Sequence, residues 1–193
     1  MIQPEISFID AISEAIDGND QDAVSSVVSD FSSFTFKEKP GFGIGDFSVE
    51  FVAELLRLIE RPDFLQMEGS FRLLLLFQND WGRLSPDLRS RVCRELELHY
   101  KNITDHASHL VIVELLGEYS CDDEALDGLD RLQETNEQTA RAHVAHGYGL
   151  FVKNTRSDTL KARALSSLRY MTTDRSAVVS QEAASILARL GMA

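Results

Sequence analysis

Apolar residues in this chain recur at intervals of three and four positions over short stretches, and each stretch ends at a clear stop signal. In the first stretch Ile9, Ile12 and Ile16 lie on one helical face, and Gly18 follows directly after it. Such spacing is typical of amphipathic helices that end at glycine-containing turns. The alternation of apolar and polar residues that is typical of strands is nearly absent. The sequence therefore predicts an all-α fold of about ten helices.

Signals for helix starts and ends indicate helices that follow one another closely. The clearest start is Ser85, which offers a capping hydroxyl before Pro86 at the first helical position and the acidic Asp87. Because the loops between predicted helices are only two to six residues long, consecutive helices should pack antiparallel. The last four helices are predicted near residues 122–134, 137–153, 157–171 and 176–190.

A loose repeat accompanies these helices. The second helix of each predicted hairpin carries a comparable apolar landmark, and the intervals between landmarks are 40, 33 and 38 residues, for Leu75, Leu115, Tyr148 and Ile186. Two-helix solenoid repeats have periods in this range. The run HLVIVELLGEYSCDDEALDGLDRL at residues 109–132 resembles a junction within a HEAT repeat, and SQEAASILARLG at 180–191 resembles its second helix. The resemblance to HEAT and armadillo proteins implies an α-solenoid of stacked antiparallel helical hairpins.

The length of 193 residues fits one domain, so residues 1–193 are predicted to form a single domain with three parts. Residues 1–33 form an N-terminal helical cap, residues 34–47 a Gly/Phe-rich crossover loop, and residues 48–193 the HEAT-like helical hairpins. The loop contains G-x-G-x-G, which lacks the spacing and the parallel strand of a dinucleotide site. We interpret it as a flexible crossover, and a mobile apolar contact surface is the alternative.

The net charge of −12 excludes several classes of partner. Non-specific nucleic-acid binding and anionic membrane surfaces both require clustered Lys and Arg, so neither is predicted. The N-terminal residues lack the basic and apolar regions of a signal peptide, and the longest apolar run, residues 73–77, is too short to cross a bilayer. We therefore expect a cytoplasmic protein. A basic protein partner stays open, as does a charge that serves only solubility.

The acidic residues are concentrated in one block. Residues 114–137 hold nine acidic residues against Arg131 alone, whereas residues 138–193 hold eight basic and three acidic ones. Four of these acids, called the acidic stripe below, are spaced i, i+4, i+7 and i+11 and should share one face of a helix: Asp123, Asp127, Asp130 and Glu134. That face is either a solvated outer face or a docking surface for a basic protein. The predicted partner-binding residues are Glu118, Asp122, Asp123, Glu124, Asp127, Asp130 and Glu134.

No motif in the sequence indicates catalysis or metal binding. The pairs His106/His109 and His143/His146 are each spaced i, i+3, but neither HExxH nor Glu-x-x-His is present, and two cysteines are too few for a zinc site. A nucleophile elbow, a local Cys/His signature and a kinase motif are also absent from the sequence. We predict no metal, no cofactor and no enzymatic activity.

Size, acidity and expected fold together resemble those of immunity proteins in interbacterial toxin systems, several of which are HEAT-type helical stacks. That resemblance implies a non-enzymatic protein-binding module, an antitoxin that covers the active cleft of a cognate, basic toxin domain. Two alternatives stay open. One is a HEAT-like enzyme or cofactor-handling protein, for which DNA glycosylases and bilin lyases are precedents, and the other is a scaffold or adaptor. The sequence does not determine the oligomeric state.

Overall fold

The computed structural model describes residues 4–38, 49–61, 63, 74–75, 77–78, 81–103 and 106–192, and these residues contain nine α-helices and no strand. The all-α prediction is therefore confirmed. The tenth helix and the solenoid arrangement stay predictions. The helices are α1 (Pro4–Asp17), α2 (Gln21–Glu38), α3 (Val49–Ile59), α4 (Pro86–Tyr100), α5 (His106–Glu114), α6 (Asp123–Leu132), α7 (Gln138–Asn154), α8 (Asp158–Met171) and α9 (Ala177–Arg189).

The start of the predicted crossover loop is helical. Residues 34–38 belong to α2, which continues to Glu38, and the other loop residues, 39–47, lie outside the described residues. Because Pro40 restricts the backbone of Lys39 and not of the residues before it, a helix can continue up to Glu38. The two interpretations of the loop, as a crossover or as a contact surface, stay predictions.

The chain divides into two compact units, an N-terminal unit of Met1–Ser108 and a C-terminal unit of His109–Ala193. In the N-terminal unit, α1 packs on α2 and α3, and α3 packs on α4. Ser85 caps α4 as the sequence predicts, because its hydroxyl accepts a hydrogen bond from the Leu88 amide at 3.3 Å. In the part of the chain that the structure describes, no helix is both long and apolar enough to span a membrane.

In the C-terminal unit, α7 lies at the centre of the packing. It contacts α6, α8, α9 and the turn that precedes α6. Most of its residues are buried, and Tyr148 and Phe151 are among the largest fully buried side chains. Such burial on all sides fits a helix that other helices surround. Because all of the predicted partner-binding residues lie within residues 118–134, α7 and its neighbours position the candidate site.

Candidate functional site

A widened helical turn connects α5 to α6 and carries part of the acidic block. Residues Leu115–Ser120 form a π-helical turn, a rare conformation that is often found at functional sites. A Cβ atom on Gly117 would lie 2.2 Å from the carbonyl oxygen of Gly147, so the turn can contact α7 only because residue 117 is glycine. This contact fixes the backbone, and the next two side chains of the turn, Glu118 and Tyr119, are exposed.

The turn ends at Cys121, which adopts a left-handed conformation with φ 52°. This conformation is unfavourable for a residue with a side chain. The thiol donates hydrogen bonds to the carbonyl oxygens of Gly117 at 3.1 Å and Glu118 at 3.3 Å. Burial, followed by the charges of Asp122 and Glu118, raises the pKa of Cys121 to about 11. The thiol is therefore protonated at neutral pH and is a poor nucleophile there.

The first acids of α6 start the helix. Asp122 is the N-cap, and its carboxylate accepts a hydrogen bond from the Ala125 amide at 2.9 Å. Asp123 and Glu124 follow in the first turn, where negative charge stabilises the helix dipole. Asp122 and Asp123 are exposed, whereas Glu124 is half-buried. The helix therefore needs acids here, and two of them still present their charge to solvent.

The middle of the acidic stripe is paired with the basic C-terminal third of the chain. Arg163 of α8 donates to Asp127 Oδ1 at 2.5 Å and also to Asp130. Asp130 Oδ1 accepts two further bonds, from the Tyr148 hydroxyl at 2.5 Å and from the Ser167 hydroxyl at 3.1 Å. Burial of the phenol, together with its bond to Asp130, raises the pKa of Tyr148. Asp130 thus links α6, α7 and α8, and only 26% of its side chain is exposed.

The four stripe residues therefore do not share one environment. Asp123 is exposed, Asp127 is half-exposed and bound to Arg163, and Asp130 is engaged on three sides. Glu134 is exposed but lies beyond the end of α6 at Leu132, so the prediction that all four acids share one helix face is wrong for this residue. The Gln133 amide still bonds four residues back, to Leu129, but the Glu134 and Thr135 amides bond only three residues back, to Arg131 and Leu132, so α6 closes there in tighter turns.

A pocket of about 410 Å³ lies at the far end of α6, between the loop that follows α6 and the loop that follows α8. Its lining is mostly polar and comprises Gln133, Glu134, Thr135, Asn136, Arg141, Tyr170, Met171, Thr173, Asp174 and Arg175. Among these, only Glu134 belongs to the partner-binding residues predicted from the sequence. The others were missed because the pocket is formed by two loops that are almost 40 residues apart in the chain.

A buried ion pair joins these two loops. Arg141, only 6% exposed, donates through Nε and Nη2 to the two carboxylate oxygens of Asp174, at 3.1 and 3.2 Å. Its Nη1 donates to the carbonyl oxygens of Thr135 and Asn136, at 2.9 and 2.8 Å. Burial tends to raise the pKa of Asp174, but the bonds from Arg141 and from the Ser176 amide outweigh it, so the pKa is lowered. One signal for this pair was present, since Arg141 interrupts an otherwise small and apolar helix face.

The two histidine rings that lie near each other belong to different helices, α5 and α7, and not to one of the i, i+3 pairs found in the sequence. The rings of His109 and His143 are 6.1 Å apart between centroids, whereas His106 is exposed. Across the described residues, no three His, Cys, Asp or Glu side chains are arranged to hold a metal ion. The candidate functional regions in the C-terminal unit are therefore the acidic surface and the pocket.

Comparison with known proteins gives no matching family model, no matching curated protein and no matching solved structure. The resemblances to HEAT repeats and to immunity proteins thus stay predictions.

Proposed function

We propose that this chain is a non-enzymatic protein-binding module that docks a basic protein domain, and that it acts as an antitoxin by covering the active cleft of that domain. The observation that carries the proposal is a row of exposed carboxylates, Glu118, Asp122 and Asp123, beside the exposed ring of Tyr119. These four residues are called the docking face below.

The charge of the docking face is available to a partner. Within the described residues, none of its three carboxylates forms an ion pair, in contrast to Asp127 and Asp130. Exposed carboxylates of one sign attract a basic surface over about 8 Å at physiological ionic strength and raise the association rate. The sequence-predicted set is thereby divided, since Asp130 serves the packing of the unit and Glu118, Asp122 and Asp123 serve docking.

The docking face also offers an aromatic anchor on a fixed backbone. Tyr119 is 41% exposed, and tyrosine is enriched among residues that dominate binding energy. The contact between Gly117 and Gly147 fixes the turn that carries it, and the Asp122 cap fixes the start of α6. A face that is already ordered loses less conformational entropy on binding, which favours tight association.

A toxin domain is the partner that best fits these properties. A nuclease needs cations around its cleft to hold phosphates, so its active surface is complementary to a row of carboxylates. A small, acidic helical protein is well suited to block such a cleft without any chemistry of its own. The proposal therefore needs neither a cofactor nor a catalytic group in this chain.

Capture with matched variants tests the proposal. The variant Glu118→Lys/Asp123→Lys reverses the charge of the docking face, whereas Asp10→Lys/Asp30→Lys makes the same charge change on exposed positions of α1 and α2. We expect a basic protein from the source cells to be captured by the wild type and by the α1/α2 variant but not by the docking-face variant. Cells that produce the captured protein should grow only when the wild-type chain is also produced. Capture and growth rescue that are equal with both variants would contradict the proposal.

A further inference from the structure

Two exposed cations belong to the segment that borders the docking face, at the end of α7 and in the loop that joins α7 to α8. In this loop the Thr155 hydroxyl donates a hydrogen bond to the carbonyl oxygen of Cys121 at 3.5 Å, and Cys121 directly precedes Asp122 of the docking face. Lys153 and Arg156, on either side of Thr155, are both exposed. These two residues are called the cationic edge below.

The backbone of the cationic edge is fixed by hydrogen bonds on both sides. The Thr155 amide donates to the carbonyl oxygen of Phe151 at 2.9 Å and closes α7. The Ser157 hydroxyl accepts a bond from the Leu160 amide at 3.3 Å and starts α8. The Ser157 amide in turn donates to the Thr155 hydroxyl at 3.3 Å. Both cations therefore extend from a backbone that is held next to the docking face.

The charges of the cationic edge are not used inside the unit. Three other basic residues of the C-terminal third form ion pairs with acids of the same unit: Arg141, Arg163 and Arg189. By contrast, Lys153 and Arg156 form no ion pair in the part of the chain that the structure describes, although Asp158 and the acids of the docking face lie nearby in the chain or across the contact with Cys121. Both charges are therefore available to another molecule.

The fold gains little from the charge of Arg156. A cation is favourable at the end of a helix and unfavourable at the start of one. Arg156 lies between the two, directly after the Thr155 C-cap of α7 and directly before the Ser157 N-cap of α8. Lys153, in the last turn of α7, already supplies the cation that stabilises that end. A residue whose charge has no local role is one at which a functional role is expected.

The cationic edge disfavours a partner that is basic over its whole contact surface. Like charges that face each other across an interface lower the affinity, and they thereby exclude partners whose charge pattern does not match. The docking face supplies three carboxylates and the cationic edge two cations, so the local charge is still negative. The combined surface therefore attracts basic domains and distinguishes among them by what they place opposite Lys153 and Arg156.

We propose that Lys153 and Arg156 are specificity-determining residues, which bind a carboxylate that the partner carries beside its basic patch. This inference rests on the proposed function and names a second group that the partner must supply. The matching partner surface places cations opposite the docking face and an acid opposite the cationic edge. The planar guanidinium of Arg156 is suited to this role, because it can bind a carboxylate through two parallel hydrogen bonds.

A pair of peptides tests the cationic edge in the full chain without the partner. Acetyl-Lys-Lys-Lys-Lys-Glu-Glu-amide supplies a basic patch followed by carboxylates, and the second peptide has Gln in place of both Glu residues. Lys153→Gln/Arg156→Gln removes the cationic edge. Arg169→Gln/Arg175→Gln is the matched control, because it makes the same charge change at exposed positions near the other end of α8, where neither arginine forms an ion pair within the described residues.

NMR of the backbone amides measures both affinities. We expect the glutamate peptide to cause saturable shifts at residues 118–123 and 153–157 of the wild-type chain. The ratio of the affinity for the glutamate peptide to the affinity for the glutamine peptide should be at least about threefold lower in the edge variant than in the control variant, because only the edge variant lacks the groups that bind the carboxylates.

Two results would overturn the inference: no saturable shift at these residues, or the same affinity ratio in the two variants. An unchanged ratio together with capture that is lost on charge reversal at Glu118 and Asp123 would remove the cationic edge and leave the docking face in place. Conversely, capture that survives this reversal would contradict the proposed function, even where the affinity ratio changes as expected.

Discussion

At the residue scale, one buried cation organises the pocket end of the C-terminal unit. The guanidinium of Arg141 bonds to a carboxylate from one loop and to two carbonyl oxygens from the other. A buried charge is tolerated only when it is surrounded in this way. The pair with Asp174 therefore holds the two loops in register, and the pocket depends on it.

Asp174→Asn should lower the free energy of unfolding by about 2 kcal/mol at pH 7, because it leaves the buried charge of Arg141 without a counter-ion. We place the loss below the usual range for buried pairs because 18% of the Asp174 side chain is exposed to water. Urea denaturation measures this loss. Asp30→Asn, at an exposed position of α2 with no ion pair in the described chain, is the control and should change stability little.

The same variant gives a pH signature with a defined sign. The folded-state pKa of Asp174 lies below its unfolded value of about 3.9, so the pair stabilises the protein fully above that value. The stabilisation is lost as pH falls through the folded-state pKa. The difference in unfolding free energy between wild type and Asp174→Asn should therefore be constant from pH 5 to 7 and shrink below about pH 4. A difference that grows on acidification would contradict the assignment.

At the scale of elements, local signals predicted the C-terminal helices closely. The sequence places the last four helices within about two residues of the observed bounds, because each begins at a capping residue and the first three end at a short loop. Ser157 and Asp122 are examples, since both accept a hydrogen bond from an amide three residues on. These signals lie within a few residues of one another, so sequence alone reveals them.

Contacts between helices were not predictable in the same way. The bonds from Arg163 to Asp127 and Asp130 join residues 36 and 33 positions apart, and no local pattern indicates that the basic C-terminal third neutralises part of the acidic block. Nor does any local pattern indicate that Gly117 touches Gly147. The sequence could therefore find the acids of the site but not the part of their charge that is neutralised internally.

Gly117→Ala tests the contact that fixes the π-helical turn. The added methyl would overlap the Gly147 carbonyl, so we expect a loss of about 2 kcal/mol in unfolding free energy, from overpacking. Gly82→Ala is the matched control, because a Cβ at that position meets nothing within 4 Å. Thermal and urea unfolding should separate the two variants clearly. Equal stability of the two would mean that the turn yields to the methyl without cost.

At the scale of the whole molecule, the two units differ in charge. The N-terminal unit carries 19 acidic and 10 basic residues, and the C-terminal unit carries 12 acidic and 9 basic residues. Most of the net charge of −12 therefore belongs to the unit that lacks the docking face. On the proposed function, long-range attraction of a basic partner would arise from both units, whereas specific contact would arise from the docking face.

The association rate constant of the captured basic partner, measured at low and at physiological ionic strength, tests the central claim most directly. Reversal at Glu118 and Asp123 should slow association at least tenfold at low salt, because it removes local attraction as well as net charge. The equal charge change at Asp10 and Asp30 should lower the logarithm of the association rate constant by less than half as much. Added salt should reduce the difference in association rate between the two variants. Equal slowing by the two variants would show that only net charge matters and would contradict a docking face at the start of α6.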